Sequence, residues 1–208
     1  MSASTAARRL SALRQFFRFL HGEGVRGDDP TTVLDGPRRA RPLPKYLSEA
    51  EVEKLLAAAA RVEGAEGARL QALIEVLYAT GIRVSELVAL PMAALPREGR
   101  VLIVRGKGGK ERMVPLGEPA EAALARYRAL REKFVPGGKA RAKAKRQAGG
   151  RDSPWLFPSR GASGHLTRAR FQQLLKELAA DADVPQGRVS PHVLRHSFAS
   201  HMLAHGAD

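Results

Sequence analysis

The sequence predicts a mainly α-helical protein with one small antiparallel β-sheet. Three observations lead there. Most of the chain repeats its apolar residues at helical spacing, a central stretch changes to strand-like runs around a Gly-rich turn, and the helical stretches begin and end on recognisable caps. At 208 residues the chain can bury a core, and a stretch dense in Pro and Gly divides it near residue 40. The expected organisation is a short helical piece, residues 1–40, followed by a larger domain, residues 41–208.

From Ser4 to about His21, the residues Leu10, Leu13, Phe16, Phe17 and Leu20 fall on one side of a helix. That stripe predicts packing in a bundle. Arg14 and Arg18 lie a turn apart beside it, where they can touch phosphate or simply face solvent. The next segment, "GEGVRGDDPTTVLDGPRRARPLPK", has no helical period and reads as a linker with a short turn at Thr31 to Leu34. Ser48 and Glu51 then form an S-x-x-E capping box, with Leu47 and Val52 placed to staple across it. Val52, Leu55, Leu56 and Ala59 carry the apolar stripe of that helix. Leu70, Leu73, Ile74, Leu77 and Tyr78 predict the next one, capped by Gly81, and a shorter helix from Val84 to Leu90 stops at Pro91.

There the period changes. "VLIV" at Val101 to Val104 and "RMVPL" at Arg112 to Leu116 read as two strands joined by "RGKGGKE", and Pro115 marks an edge or an end. Helix returns from Glu121 to Phe134. The stretch "GGKARAKAKRQAGG", residues 137–150, is basic without a single acid; it reads either as a loop drawn to phosphate backbones or as a solubilising insert. "PWLFPS" predicts a short strand at Trp155 to Phe157, and Leu166 opens a helix with Phe171, Leu174, Leu175 and Leu178 facing inward. The last predicted helix is capped by Ser190 and starts on Pro191, so that His192 and Arg195 fall three residues apart on one face.

Thirty-five Lys and Arg against twenty-one Asp and Glu leave a formal charge of +14, an excess that attracts polyanions through counterion release and points to nucleic acid. The absence of cysteine removes disulfides, thiolate nucleophiles and Cys-based zinc sites, and the six histidines show no HExxH-like spacing, so no metal is expected. There is no apolar run of about eighteen residues and no signal-peptide pattern, which predicts no membrane partner and a cytoplasmic location.

Several basic positions are candidates for chemistry. Arg83 follows the Gly81 cap at a helix start, with Glu86 three residues on to orient it; taken alone, the pair reads more readily as a surface ion pair. Lys107 sits in a Gly-rich turn that lets it reach outward, and a basic hairpin tip can mean no more than nonspecific contact. His192 and Arg195 stand at a helix start, where free amides favour an anion, arginine matches two phosphate oxygens, and histidine exchanges a proton near neutral pH; taken alone, the pair reads more readily as a capped helix with a solvated histidine. In combination, two arginines, a lysine and a histidine describe a metal-free site for stabilising a phosphoryl transition state.

"ATGIRVSELVAL", "VRGKGGKERMVPLG" and "SPHVLRHSFASHMLAHGAD" resemble the catalytic motifs of tyrosine recombinases of the Xer type; "STAARRLSALRQFFRFL", "DDPTTVL" and "LPKYLSEAEVEKLL" extend the likeness over nearly the whole chain. The resemblance implies an incomplete tyrosine recombinase catalytic-domain fold preceded by a remnant of the helical core-binding domain. It implies that Arg83 and Arg195 clamp the scissile phosphate, that His192 assists proton transfer, that Lys107 protonates the departing 5′ oxygen, and that Glu86 supports them. Further DNA contacts are expected at Arg14, Arg18, Lys110 and Arg112. The family uses no cofactor, forms a 3′-phosphotyrosyl link and exchanges strands of double-stranded DNA in a tetramer, in the Xer case to resolve chromosome dimers. Tyr46, Tyr78 and Tyr127 lack the context of the family's nucleophile and read as packing residues, so the chain is expected to be a fragment without a nucleophile, inactive alone. The alternatives are a non-catalytic protein that occupies recombination sites and a type IB topoisomerase; the Xer-like linker and capping box argue against the latter.

Overall fold

A computed structural model describes residues 2–37, 46–95, 100–136 and 153–206, except for the side chain of Lys107. The basic stretch at 137–150 lies outside the described residues. The chain forms two compact units, Met1–Pro44 and Lys45–Asp208.

In the first unit, Ser2 caps helix α1 (Ala3–Gly22) by accepting from the Thr5 amide at 3.2 Å. Asp29 closes the following loop, accepting from the Thr31 amide at 2.9 Å and the Thr31 hydroxyl at 2.6 Å. Arg14 donates to the Leu34 carbonyl, and Arg18 is exposed. The packed stripe expected on this helix is only partly covered: no residue of α1 is buried, Leu10, Phe17 and Leu20 are half-buried, and Leu13 and Phe16 remain 47% and 54% exposed. One helix and a short loop offer too little apolar surface to enclose a stripe of this width.

The second unit runs α2 (Glu49–Arg61), α3 (Gly64–Thr80), α4 (Val84–Val88), β1 (Val101–Arg105), β2 (Glu111–Pro115), α5 (Glu118–Leu130), α6 (Arg168–Asp181) and α7 (Pro191–Ala204). Its centre is α3, packed against α2, α5 and α7. Leu70, Ala72, Leu73, Ile74, Val76 and Leu77 are buried around the circumference of α3, as a helix enclosed on several sides requires. Each such leucine or isoleucine contributes on the order of 1.5–3 kcal/mol relative to exposure. The capping box of α2 forms in both directions, Ser48 Oγ accepting from the Glu51 amide at 3.2 Å and Glu51 Oε2 accepting from the Ser48 amide at 2.8 Å. Leu47 and Val52 are both buried beside it.

Strands β1 and β2 pair antiparallel from Val101 opposite Pro115 to Arg105 opposite Glu111. Leu102 and Val104 point into the core while their neighbours face outward, the period-two pattern of a half-buried strand. The predicted strand at Trp155 to Phe157 does not form. Trp155 makes a single bridge to Pro91, and Pro158 another to His165. Proline at 91, 154 and 158 removes the donors that a continuing ladder would need. The segment is held instead from the side: Leu156 donates to the Leu90 carbonyl at 2.7 Å, and the buried Tyr127 hydroxyl donates to the Leu156 carbonyl at 2.9 Å.

Candidate functional site

Gly81 ends α3 in the left-handed conformation, φ +56°, and lies against Phe198 of α7. A Cβ there would stand 2.7 Å from Phe198 Cε1 and closer still to Cδ1, so only glycine satisfies both the backbone angle and the close approach. The contact seats the turn carrying Arg83 against α7, one helical turn beyond Arg195. Arg83 is the N-cap of α4 and its side chain is 61% exposed. Its amide donates to Glu86 Oε2 at 2.8 Å and its Nη1 to Oε1 at 3.2 Å.

Glu86 is only 8% exposed and receives a second arginine, Arg112 of β2, whose Nη2 donates to Oε2 at 2.8 Å and Nη1 to Oε1 at 3.3 Å. Burial alone would raise the pKa of this carboxyl; the hydrogen bonds from the Arg112 guanidinium and the Arg83 amide outweigh it and hold the group below its ordinary range. Arg83, Ser85, Glu86, Pro91, Arg105 and Gly106 line a hollow of about 470 Å³ between α4 and the hairpin. The backbone of Lys107 follows Gly106 directly, in a turn closed by the Gly106 amide on the Lys110 carbonyl at 2.8 Å, with Gly108 and Gly109 at φ +76° and +75°. The Lys107 side chain lies outside the described part of the structure, and Lys110 is exposed.

On α7, Ser190 caps by accepting from the Val193 amide at 3.2 Å, and His192 is exposed with its ring 6.5 Å from that of His196. Arg195 is half-buried, and its Nη1 is a buried donor without a hydrogen-bond partner among the described residues. Native structures rarely leave such a donor unpaired, and a guanidinium edge matches an oxyanion. The structure therefore brings Arg83 and the Lys107 turn to one hollow, while His192 and Arg195 share a face of α7 and do not line it. Ser197, which sequence reasoning missed, is fully buried and fastens α7 to the start of the unit, accepting from the Leu47 amide at 2.8 Å. No local pattern announces it.

The tyrosines are placed differently from one another. Tyr127 is buried and Tyr78 shares a 2.8 Å hydrogen bond with His201 Nδ1; burial raises the pKa of both phenols. Tyr46, expected to pack, is instead 48% exposed, two residues before the capping-box Ser48. Among the described residues no group of His, Asp or Glu could hold a metal ion, and no helix is long and apolar enough to cross a membrane.

Residues 45–208 match the model of the phage integrase family. Tyrosine recombinase XerD of Caulobacter vibrioides is 52% identical over 208 residues, covering all of this chain and 65% of the relative. The XerD of Rhizobium meliloti is 52% identical over 214 residues, covering 99% of this chain and 63% of the relative. The chain thus spans a little under two thirds of the length of these curated relatives. A crystal structure of XerA recombinase aligns with 95% of the chain and 61% of its own length at 27% identity and a TM-score of 0.63. The XerH site-specific recombinase bound to a palindromic difH substrate shares the fold over the whole chain and 58% of its own length, at 22% identity and a TM-score of 0.75.

Proposed function

The chain belongs to the phage integrase family, and from that premise we propose that it acts in site-specific DNA recombination of the tyrosine recombinase kind. Arg83 and Arg195 hold the scissile phosphate, and His192 assists proton transfer. When a tyrosine oxygen bonds to phosphorus and the bond to the 5′ oxygen breaks, Lys107 gives that oxygen its proton. Guanidinium groups suit the step because charge builds on the phosphoryl oxygens as it proceeds, and fixed donors aimed there need no reorganisation. The observation that carries this reading is the buried, unpartnered Nη1 of Arg195 on the helix seated beneath the Arg83 turn. On the family resemblance drawn from the motifs, we extend the reading to double-stranded DNA as substrate, a tetramer as the working assembly and chromosome dimer resolution as the task.

Tyr78 and Tyr127 are poorly placed to be the nucleophile, since each is engaged in a hydrogen bond and burial disfavours the phenolate it would need, while the exposed Tyr46 is set aside on its sequence context alone. That placement favours a second reading for the 208-residue chain acting alone, a protein that occupies recombination sites without cutting them.

The phosphate cradle is tested by binding. A duplex selected by the protein from random sequence is titrated across salt concentrations, where log K falls by about 0.9 per log salt for each phosphate neutralised. Arg83→Ala and Arg195→Ala should each reduce the slope, and because both serve one phosphate the double variant should reduce it by about one. Two unchanged slopes refute the cradle.

A further inference from the structure

We infer that Arg112 is a positioning residue: through Glu86 it locks the hairpin turn that carries Lys107 to the helix start that carries Arg83, a role that rests on the reading of those two residues proposed above.

The chain carries an excess of cations, and a lysine or arginine on an exposed hairpin would ordinarily face solvent or a polyanion. Arg112 does neither with its fork. Both of its terminal nitrogens meet the Glu86 carboxylate, at 2.8 and 3.3 Å, while Arg83 supplies its amide at 2.8 Å and its own Nη1 at 3.2 Å. A carboxylate offers about four lone-pair sites, so these four donors saturate it. Glu86 is also the enclosed member of the group, 8% exposed against 41% for Arg112, so losing Arg112 would leave a buried charge half-satisfied.

The pair lies directly against the turn. A Cβ on Gly106 would stand 3.3 Å from Arg112 Nη1 and 4.0 Å from Glu86 Oε1, which puts the ion pair on the backbone of the residue before Lys107. Within the hairpin the turn is closed by the Gly106 amide on the Lys110 carbonyl and the Gly109 amide on the Gly106 carbonyl, bonds that do not reach α4. Its Gly108 and Gly109 are backbone-permissive, and a two-stranded ribbon is marginal by itself. The other ion pair on the hairpin, Arg105 with Glu111, joins strand to strand, is 74% and 53% exposed, and does not reach α4. Arg112 and Glu86 therefore tie the general-acid turn to the phosphate-binding arginine. A proton donor must stand within hydrogen-bond reach of the oxygen it serves, and a displacement of about 1 Å can cost roughly a hundredfold.

The test traps Lys107 without requiring cleavage. A selected duplex, nicked at the reactive position and bearing a 5′-aldehyde there, forms an imine with an amine placed at the 5′ oxygen; borohydride makes the link permanent, and mass spectrometry locates it. Hydrogen exchange of residues 106–110 is measured on the same proteins. Wild type should give a Lys107 adduct. Arg112→Ala should lower trapping at saturating DNA by about tenfold or more and raise exchange in the turn by a similar factor. Arg112→Lys, which keeps charge but loses the fork, should fall between the two, and Glu111→Gln should match wild type. If Arg112→Ala does not fold, the comparison of Arg112→Lys with Glu111→Gln decides. Where wild type gives a Lys107 adduct, trapping that is unchanged in the Arg112 variants overturns the inference, whatever the exchange shows. If wild type gives no Lys107 adduct while exchange still rises in Arg112→Ala, the tie stands and the assignment of Lys107 as general acid falls. If neither signal depends on Arg112, the tie itself is refuted.

Discussion

Replacing Gly81 with alanine tests the contact that seats the Arg83 turn on α7. Two separate costs are built into the position. The backbone sits at φ +56°, where a side chain costs about 1–2 kcal/mol, and the new methyl would overlap the Phe198 ring, an overpacking worth about 1–3 kcal/mol. The sum, about 2–5 kcal/mol, is a large part of a typical domain stability of about 5–15 kcal/mol. The two costs can be separated. Phe198→Leu removes the ring atoms that clash and, alone, loses the edge-on contact with Tyr78, whose ring centroid is 6.4 Å away, for about 1 kcal/mol. In the double variant the steric share disappears and the backbone share remains. Urea denaturation of the four proteins should therefore give a favourable coupling of about 1–3 kcal/mol between positions 81 and 198. Additivity within about 0.5 kcal/mol would mean that the ring does not rest on Gly81, and the placement of Arg83 beside α7 would fall with it.

Two further outcomes follow from the site. The pKa of Glu86 is held below its ordinary 4.5 in the folded protein, so its stabilisation is complete above that value and is lost as pH falls through the lower folded value. Glu86→Gln should cost about 1.5–3 kcal/mol at pH 7, and its difference from wild type should shrink on acidification to pH 3; a difference that does not vary with pH contradicts the lowered pKa. A nicked suicide substrate that carries the selected site should yield no covalent adduct with the 208-residue chain, and an adduct mapped to Tyr46, Tyr78 or Tyr127 would overturn the exclusion of these tyrosines.

What could be read from the sequence is what the backbone decides within a few residues. The box at Ser48 and Glu51, the left-handed Gly81, the Gly-rich hairpin and the Ser190–Pro191 helix start each combine a local conformation with a local hydrogen bond, and each forms where its spacing predicts. The strand expected at Trp155 fails for a reason that is also present in the sequence, since Pro154 and Pro158 flank its apolar run and cannot donate. The stripe of α1 shows the converse: periodicity states which face is apolar, not whether anything covers it.

Orientation within the site comes from contacts far apart in sequence, and these left no local trace. Arg112 reaches Glu86 across 26 positions, and Ser197 reaches Leu47 across 150. The two arginines proposed to hold the phosphate differ for the same reason. Arg83 is exposed and partnered, a state that an ordinary surface ion pair would explain without any ligand. Arg195 has a nitrogen that is buried and partnerless among the described residues, a state with a free-energy cost that an ion pair elsewhere in the chain does not offset. An anion that reaches this nitrogen removes the cost on binding, so the case for a bound phosphate is carried by Arg195, whose burial no motif could reveal, more than by Arg83, which the motif made conspicuous.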